Sequence, residues 1–125
     1  MLHAKEKIKS GGDVPVFLTE RGNSFGYGDL VVDPRNIAIM SHEAITIMDC
    51  THATQRPNQV RGVTGGNPEE IELFAKVGLV SGAKGVFIEV HPDPASASSD
   101  GASMLALDRL EKLLIGLKKL SKGLD

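Results

Sequence analysis

The sequence predicts an α/β fold in which strand-helix units build a parallel sheet. Three apolar runs, VPVFLT (14–19), AITIMD (44–49) and GVFIEV (85–90), have the length of buried strands. Segments of helical character separate them, as parallel pairing requires. Each run finishes in a polar cluster: Glu20-Arg21-Gly22, Asp49-Cys50-Thr51-His52 and Glu89-Val90-His91. Ligands of such sheets bind beyond the carboxyl ends of the strands. Arg21, His52 and Glu89 are therefore expected to converge on one site.

Residues 2–9 (LHAKEKIK) read as a short helix stopped by Gly11-Gly12. In the first strand Pro15 has no N–H, so it suits the strand's first position or a sheet edge. The glycine-rich stretch 20–30 reads as a long loop, after which Asp33-Pro34 has the pattern of an N-cap followed by the first helical residue. After the second strand, Asn67 is positioned to cap a helix, with Pro68 in its first turn and Glu69-Glu70 complementing the positive end of the macrodipole. Ile71, Phe74 and Val77, with Leu73 and Val80, recur at helical spacing and are expected to cover the sheet. The loop HPDPASASSDGAS after the third strand reads as a lid or site loop. A last helix over 105–119 aligns Leu107, Leu110, Leu113, Leu114, Leu117 and Leu120 as a core-facing stripe.

A chain of 125 residues with 41% apolar content is long enough for one domain with one core. A net charge of −2 without a dense basic block excludes a nucleic-acid footprint. No apolar run approaches the ~18 residues of a membrane span, and MLHAKEKIKSGG lacks the apolar stretch of a secretory signal. A cytoplasmic location is the expectation, and a single cysteine is consistent with it.

The candidate site residues each have two readings. A neutral His52 imidazole can ligate a divalent metal or hydrogen-bond an anion, and it can equally be a satisfied strand-end polar residue. Glu89 sits within an apolar run, where burial costs free energy unless a cation or a hydrogen-bond partner is present; a metal and a structural Lys or Arg both answer that need. Asp100 alone is an ordinary turn aspartate. With His52 and Glu89 it completes a mixed nitrogen and oxygen set suited to Mn²⁺, Fe²⁺ or Zn²⁺. Arg21 offers a guanidinium fork for phosphate or carboxylate, against the alternative of a surface ion pair. Cys50, adjacent to Asp49, is expected to face the opposite side of the strand and pack against a helix rather than act as a nucleophile. His3 and His42 read as solvated. Period-two alternation puts His91 on the face of Glu89, in a supporting position.

On TERGNSFGYGDLVVD (19–33), IMDCTHATQ (47–55), GVFIEVHPDP (85–94) and SDG (99–101), the chain resembles the 3-deoxy-D-manno-octulosonate 8-phosphate synthases. These are TIM-barrel enzymes related to the 3-deoxy-heptulosonate 7-phosphate synthases. FGY followed by LVVD favours the octulosonate branch. The resemblance implies condensation of phosphoenolpyruvate with D-arabinose 5-phosphate, in lipopolysaccharide biosynthesis. It implies that Arg21 holds phosphoenolpyruvate, that His52 contacts it, and that in metal-using members His52, Glu89 and Asp100 ligate the metal. Two departures stand out: Thr64-Gly65-Gly66-Asn67-Pro68 replaces the family's Ser-Gly-Gly followed by Arg, and Cys50 replaces the usual alanine.

A complete barrel needs eight strand-helix units in typically ~250 residues, whereas three are legible. The fold implied is thus a single partial (β/α)8 barrel over 1–125, made of the C-terminal three units preceded by a short helix. The expectation is a chain inactive in isolation, whose exposed edges need the rest of the barrel or self-association into a homo-oligomer. Two alternatives accompany it. One is a non-catalytic remnant or partner subunit of a full-length synthase; the other is a fragment of the heptulosonate sibling, acting on a different phosphorylated aldose.

Overall fold

The computed structural model describes residues 1–25, 28–57 and 65–124, with nothing stated of the Leu2 side chain. The second and third residues of the FGY motif, and most of the loop before Gly65, lie outside the described residues. Helix α1 spans Leu2–Lys9. Strand β1 (Phe17–Glu20), a small antiparallel pair β2 (Asn23–Ser24) and β3 (Leu30–Val31), and helix α2 (Pro34–Glu43) follow. Strand β4 (Ile45–Asp49) leads through a 3-10 turn at His52–Thr54 into the antiparallel pair β5 (Gln55–Arg56) and β6 (Gly65–Gly66). Helix α3 (Ile71–Val80) and strand β7 (Gly85–Phe87) complete the main sheet. Beyond it, β8 (Val90–His91) pairs with β9 (Leu105–Ala106), which runs into helix α4 (Leu107–Lys122).

The main sheet is parallel in the order β1-β4-β7, with Glu20 opposite Met48 and Asp49 opposite Phe87. All three strands therefore point their carboxyl ends to one rim. Local chemistry starts α2 where the sequence predicts. The Asp33 carboxylate accepts the Arg35 backbone N–H at 3.0 Å, capping α2, and Pro34 opens it. The Arg35 guanidinium, hydrogen-bonded to the same carboxylate, holds Asp33 below the usual carboxylate range.

Several expectations shift by a few residues, each for an identifiable reason. β1 begins at Phe17 rather than Val14, because Val14 donates its N–H to the Gly12 carbonyl in a turn and Pro15 has none to give. Asn67 makes no side-chain cap; Pro68–Glu70 form a 3-10 turn that feeds α3 at Ile71. The face α3 buries is Ile71, Ala75 and Gly78, while Leu73 and Val80 are exposed. Small residues line that face because α3 lies directly on β4: a Cβ on Gly78 would fall 2.5 Å from the Met48 Cβ. In α4 the buried stripe narrows to Leu113 and Leu117, with Leu107 and Leu114 half-exposed.

The core gathers Ile37 of α2, Met48 of β4, Ile71 and Ala75 of α3, and Leu113 and Leu117 of α4 on one face of the sheet. Cys50 is also there, fully inaccessible, on the helix side as alternation predicts. The opposite face is bare: Phe17, Ile45 and Phe87 are 55%, 50% and 43% exposed. No helix among the described residues is long and apolar enough to cross a membrane.

Candidate active site

At the end of β1, the buried Glu20 carboxylate accepts the backbone N–H of Gly22 at 2.7 Å. Gly22 takes a positive φ of 87°, and a side chain there would crowd Leu30, so the turn depends on glycine. Between these two residues, Arg21 reaches across the rim to donate to Gln55 Oε1 at 3.3 Å. Among the described residues the guanidinium has no carboxylate partner, which leaves its fork open to an anion.

At the end of β4 the chain turns so that Asp49 grips His52 twice. One carboxylate oxygen accepts the His52 backbone N–H at 2.9 Å and the other lies 2.7 Å from Nδ1. An ionised carboxylate can only accept, so in the neutral imidazole Nδ1 carries the proton and Nε2 presents its lone pair. That lone pair faces Glu89, whose Oε1 is 3.8 Å away. The ring also stacks on Phe87, with centroids 5.9 Å apart. Asp49 thus fixes both tautomer and plane.

GVFIEV reads as one strand, but the chain leaves the main sheet after Phe87. The Glu89 N–H goes to the buried Thr51 hydroxyl at 2.7 Å, and its carbonyl accepts from Leu105 at 3.0 Å. Glu89 therefore sits at the junction of two sheets, with its side chain 28% exposed toward His52. This break undoes the alternation argument for His91. Its Nδ1 lies 2.7 Å from the Asp93 carbonyl oxygen and 3.0 Å from the Asp93 backbone nitrogen, so it holds the following turn instead of supporting Glu89.

The loop after β8 folds back through two 3-10 turns, Pro94–Ser96 and Gly101–Ser103. Asp100 caps the second turn in a left-handed conformation, φ 51°, and receives the Gln55 amide N–H at 2.6 Å. One ligand atom each from His52, Glu89 and Asp100 falls within 4.8 Å of the others. Ligand atoms about 2.0–2.2 Å from one tetrahedral ion lie about 3.3–3.6 Å apart, so the three groups would draw together by up to about an ångström to hold a cation. One imidazole nitrogen and two carboxylates suit Mn²⁺, Fe²⁺ or Zn²⁺.

All four residues singled out in the sequence lie at this rim. Asp49, Gln55 and Thr51 matter here as well and had not been assigned roles. Gln55 and Thr51 are neutral and polar, and only the tertiary structure puts them against Asp100, Arg21 and the Glu89 backbone. Cys50 is no nucleophile: burial, with the Asp49 charge beside it, pushes its thiol up to about 12. An open cleft runs past Asp100 between Pro68, Pro94 and Met104. Its one arginine, Arg109, is already in a two-pronged ion pair with Glu69.

Comparison with known proteins finds relatives along nearly the whole chain. The 2-dehydro-3-deoxyphosphooctonate aldolase of Rickettsia bellii is 44% identical over 120 residues, covering 95% of this chain and 44% of its own length. Its namesake from Rickettsia typhi is 42% identical over 123 residues, covering 98% and 45%. The chain thus spans under half the length of the curated relatives it matches. Among solved structures, the phospho-2-dehydro-3-deoxyheptonate aldolase (DAHP synthase) of Thermotoga maritima superimposes with a TM-score of 0.79 at 26% identity, over 98% of this chain and 34% of that one. The sequence model of the DAHP synthetase I family matches residues 1–125, and to that family this chain belongs.

Proposed function

We propose that the chain carries the rim of a (β/α)8-barrel synthase that condenses phosphoenolpyruvate with D-arabinose 5-phosphate to 3-deoxy-D-manno-octulosonate 8-phosphate and phosphate. The observation that carries this reading is the convergence of His52, Glu89 and Asp100 within 4.8 Å, with Arg21 linked to the same cluster through Gln55 and without a carboxylate partner among the described residues. The names of the Rickettsia relatives support it. In the reaction, carbon three of the enol bonds to the aldehyde carbon, water adds at carbon two, and phosphate leaves. Arg21 holds the anionic end of phosphoenolpyruvate, and the His52 ring lies beside it at the end of the neighbouring strand, with Nε2 left for the cation. Glu89 and Asp100 complete a site for a divalent cation, which when bound polarises the aldehyde or orients the water. Asp49 holds the imidazole in the tautomer this needs.

On the same reading, the three parallel strands are part of a barrel over 1–125. The bare face of Phe17, Ile45 and Phe87 supports this, since a barrel interior is a packed core that further strands must fill. The isolated chain then lacks activity and works in the cytoplasm only with the rest of the barrel. The test is phosphate release from phosphoenolpyruvate plus arabinose 5-phosphate. We expect none from the chain alone, and release once it is co-expressed with the portion of the Rickettsia bellii protein that it does not match. Release with erythrose 4-phosphate instead would favour the heptulosonate activity named for the Thermotoga neighbour. No release with either aldose would count against a synthase. The open sheet edges favour one second reading, a partner subunit of a full-length synthase, which co-elution of the two proteins would reveal.

A further inference from the structure

We propose that Gln55 is a positioning residue that couples the anion held by Arg21 to the cation held by Asp100, so that binding of either tightens binding of the other. The inference rests on the synthase reading of those two residues, and goes beyond it by giving a role to a residue that touches neither ligand.

The carboxamide is wedged between them. Its oxygen accepts from the Arg21 guanidinium at 3.3 Å and its nitrogen donates to Asp100 Oδ1 at 2.6 Å. Guanidinium only donates and carboxylate only accepts, so both neighbours enforce the same orientation of the amide. Methionine or leucine cannot do this, and a carboxylate at 55 would oppose Asp100.

The Gln55 backbone is held as well. It pairs with Gly66 across the short ribbon, and a Cβ on Gly66 would lie 2.1 Å from Ser103 Oγ and 2.7 Å from the Ala102 carbonyl. The ribbon is therefore pressed against the very turn that Asp100 caps. That turn leaves Asp100 in the left-handed region, where an aspartate persists only if its surroundings fix it. Gln55 is the described side chain that fixes its carboxylate.

The physical consequence is shared ordering. An anion on Arg21 immobilises the guanidinium, then the amide, then the Asp100 carboxylate, so a cation arriving second orders fewer groups. By linkage the effect is reciprocal.

The test is a Mn²⁺ titration of the full chain, with free Mn²⁺ read by electron paramagnetic resonance, with and without saturating phosphoenolpyruvate. Gln55→Met removes both hydrogen bonds at nearly constant volume; Gln55→Asn keeps the amide but is too short to bridge. We expect Mn²⁺ alone to bind about tenfold more weakly in either variant. The tightening by phosphoenolpyruvate should fall by about fivefold or more relative to the unsubstituted chain. Direct attraction between Mn²⁺ and phosphoenolpyruvate is common to all three proteins, so the drop isolates the Gln55 contribution. A general loss of structure cannot mimic this drop, because phosphoenolpyruvate would refold the chain and enlarge the tightening, and circular dichroism identifies whichever variant is folded. Undiminished tightening in a folded variant overturns the proposal and leaves the synthase reading intact. If the unsubstituted chain binds phosphoenolpyruvate but not Mn²⁺, the coupling is overturned and the Arg21 assignment stands. If it binds neither, both fall together.

Discussion

His52 is a usable ligand because of Asp49, not because of its position alone. With both carboxylate oxygens engaged at 2.9 and 2.7 Å, the imidazole has one tautomer and one plane. Asp49→Asn keeps the shape but lets the ring turn or change tautomer; Mn²⁺ affinity should drop about 10–100-fold with little change in unfolding midpoint. The strand-end positions of His52, Arg21 and Glu89 were legible in the sequence, because charged or polar groups ending an apolar run leave a signal. Asp100, an ordinary turn aspartate by itself, stood out only in company with His52 and Glu89. Gln55 left none, since a neutral amide is common on any surface and only the returning loop gives it Asp100 as a partner. Cys50 carries a separate prediction. Folded, its thiol keeps its proton up to about 12, whereas the unfolded chain releases it near 9. Its contribution to stability is complete below the lower value and is lost as pH rises toward the upper, with a slope of at most about 1.4 kcal/mol per pH unit. Denaturation curves between pH 8 and 10.5 should fall more steeply for the unsubstituted chain than for Cys50→Ala. Parallel curves would mean that the thiol is not desolvated.

Among the elements, the helices were easier to foresee than the strands. Asp33-Pro34 and the leucine spacing of α4 act locally, and α2 and α4 form close to where those signals lie. Strand limits depend on partners. GVFIEV divides at Ile88-Glu89 because Thr51 and Leu105 take the Glu89 backbone groups, and neither is near in sequence. The same dependence explains which face of α3 is buried: contact with Met48 selects Ala75 and Gly78 over the larger Leu73 and Val80. Two glycines in helices separate packing from propensity. Gly78→Ala inserts a Cβ 2.5 Å from a fully buried methionine, and overpacking of about 1–3 kcal/mol should outweigh the helix-propensity gain of up to ~1 kcal/mol. Gly116→Ala in α4 meets nothing within 4 Å and should stabilise by about 0.5–1 kcal/mol. Urea midpoints moving in opposite directions would bear this out.

At the level of the whole molecule, one face of the sheet is packed by three helices and the other is open, while the side chains of the candidate site crowd the rim between them. The α/β class was legible from the rhythm of apolar runs. What covers Phe17, Ile45 and Phe87 was not, because alternation within a strand reports that a residue is apolar and not which chain meets it. Arg21, His52, Glu89 and Asp100 meet at the rim formed by the carboxyl ends of neighbouring parallel strands, and a crystal of the chain soaked with Mn²⁺ and phosphoenolpyruvate would show whether that rim is one binding site. A single anomalous peak is expected about 2.0–2.4 Å from His52 Nε2 and one oxygen each of Glu89 and Asp100, with phosphoenolpyruvate against Arg21. An ion bound elsewhere, or phosphoenolpyruvate at the amino ends of the strands, would refute the site.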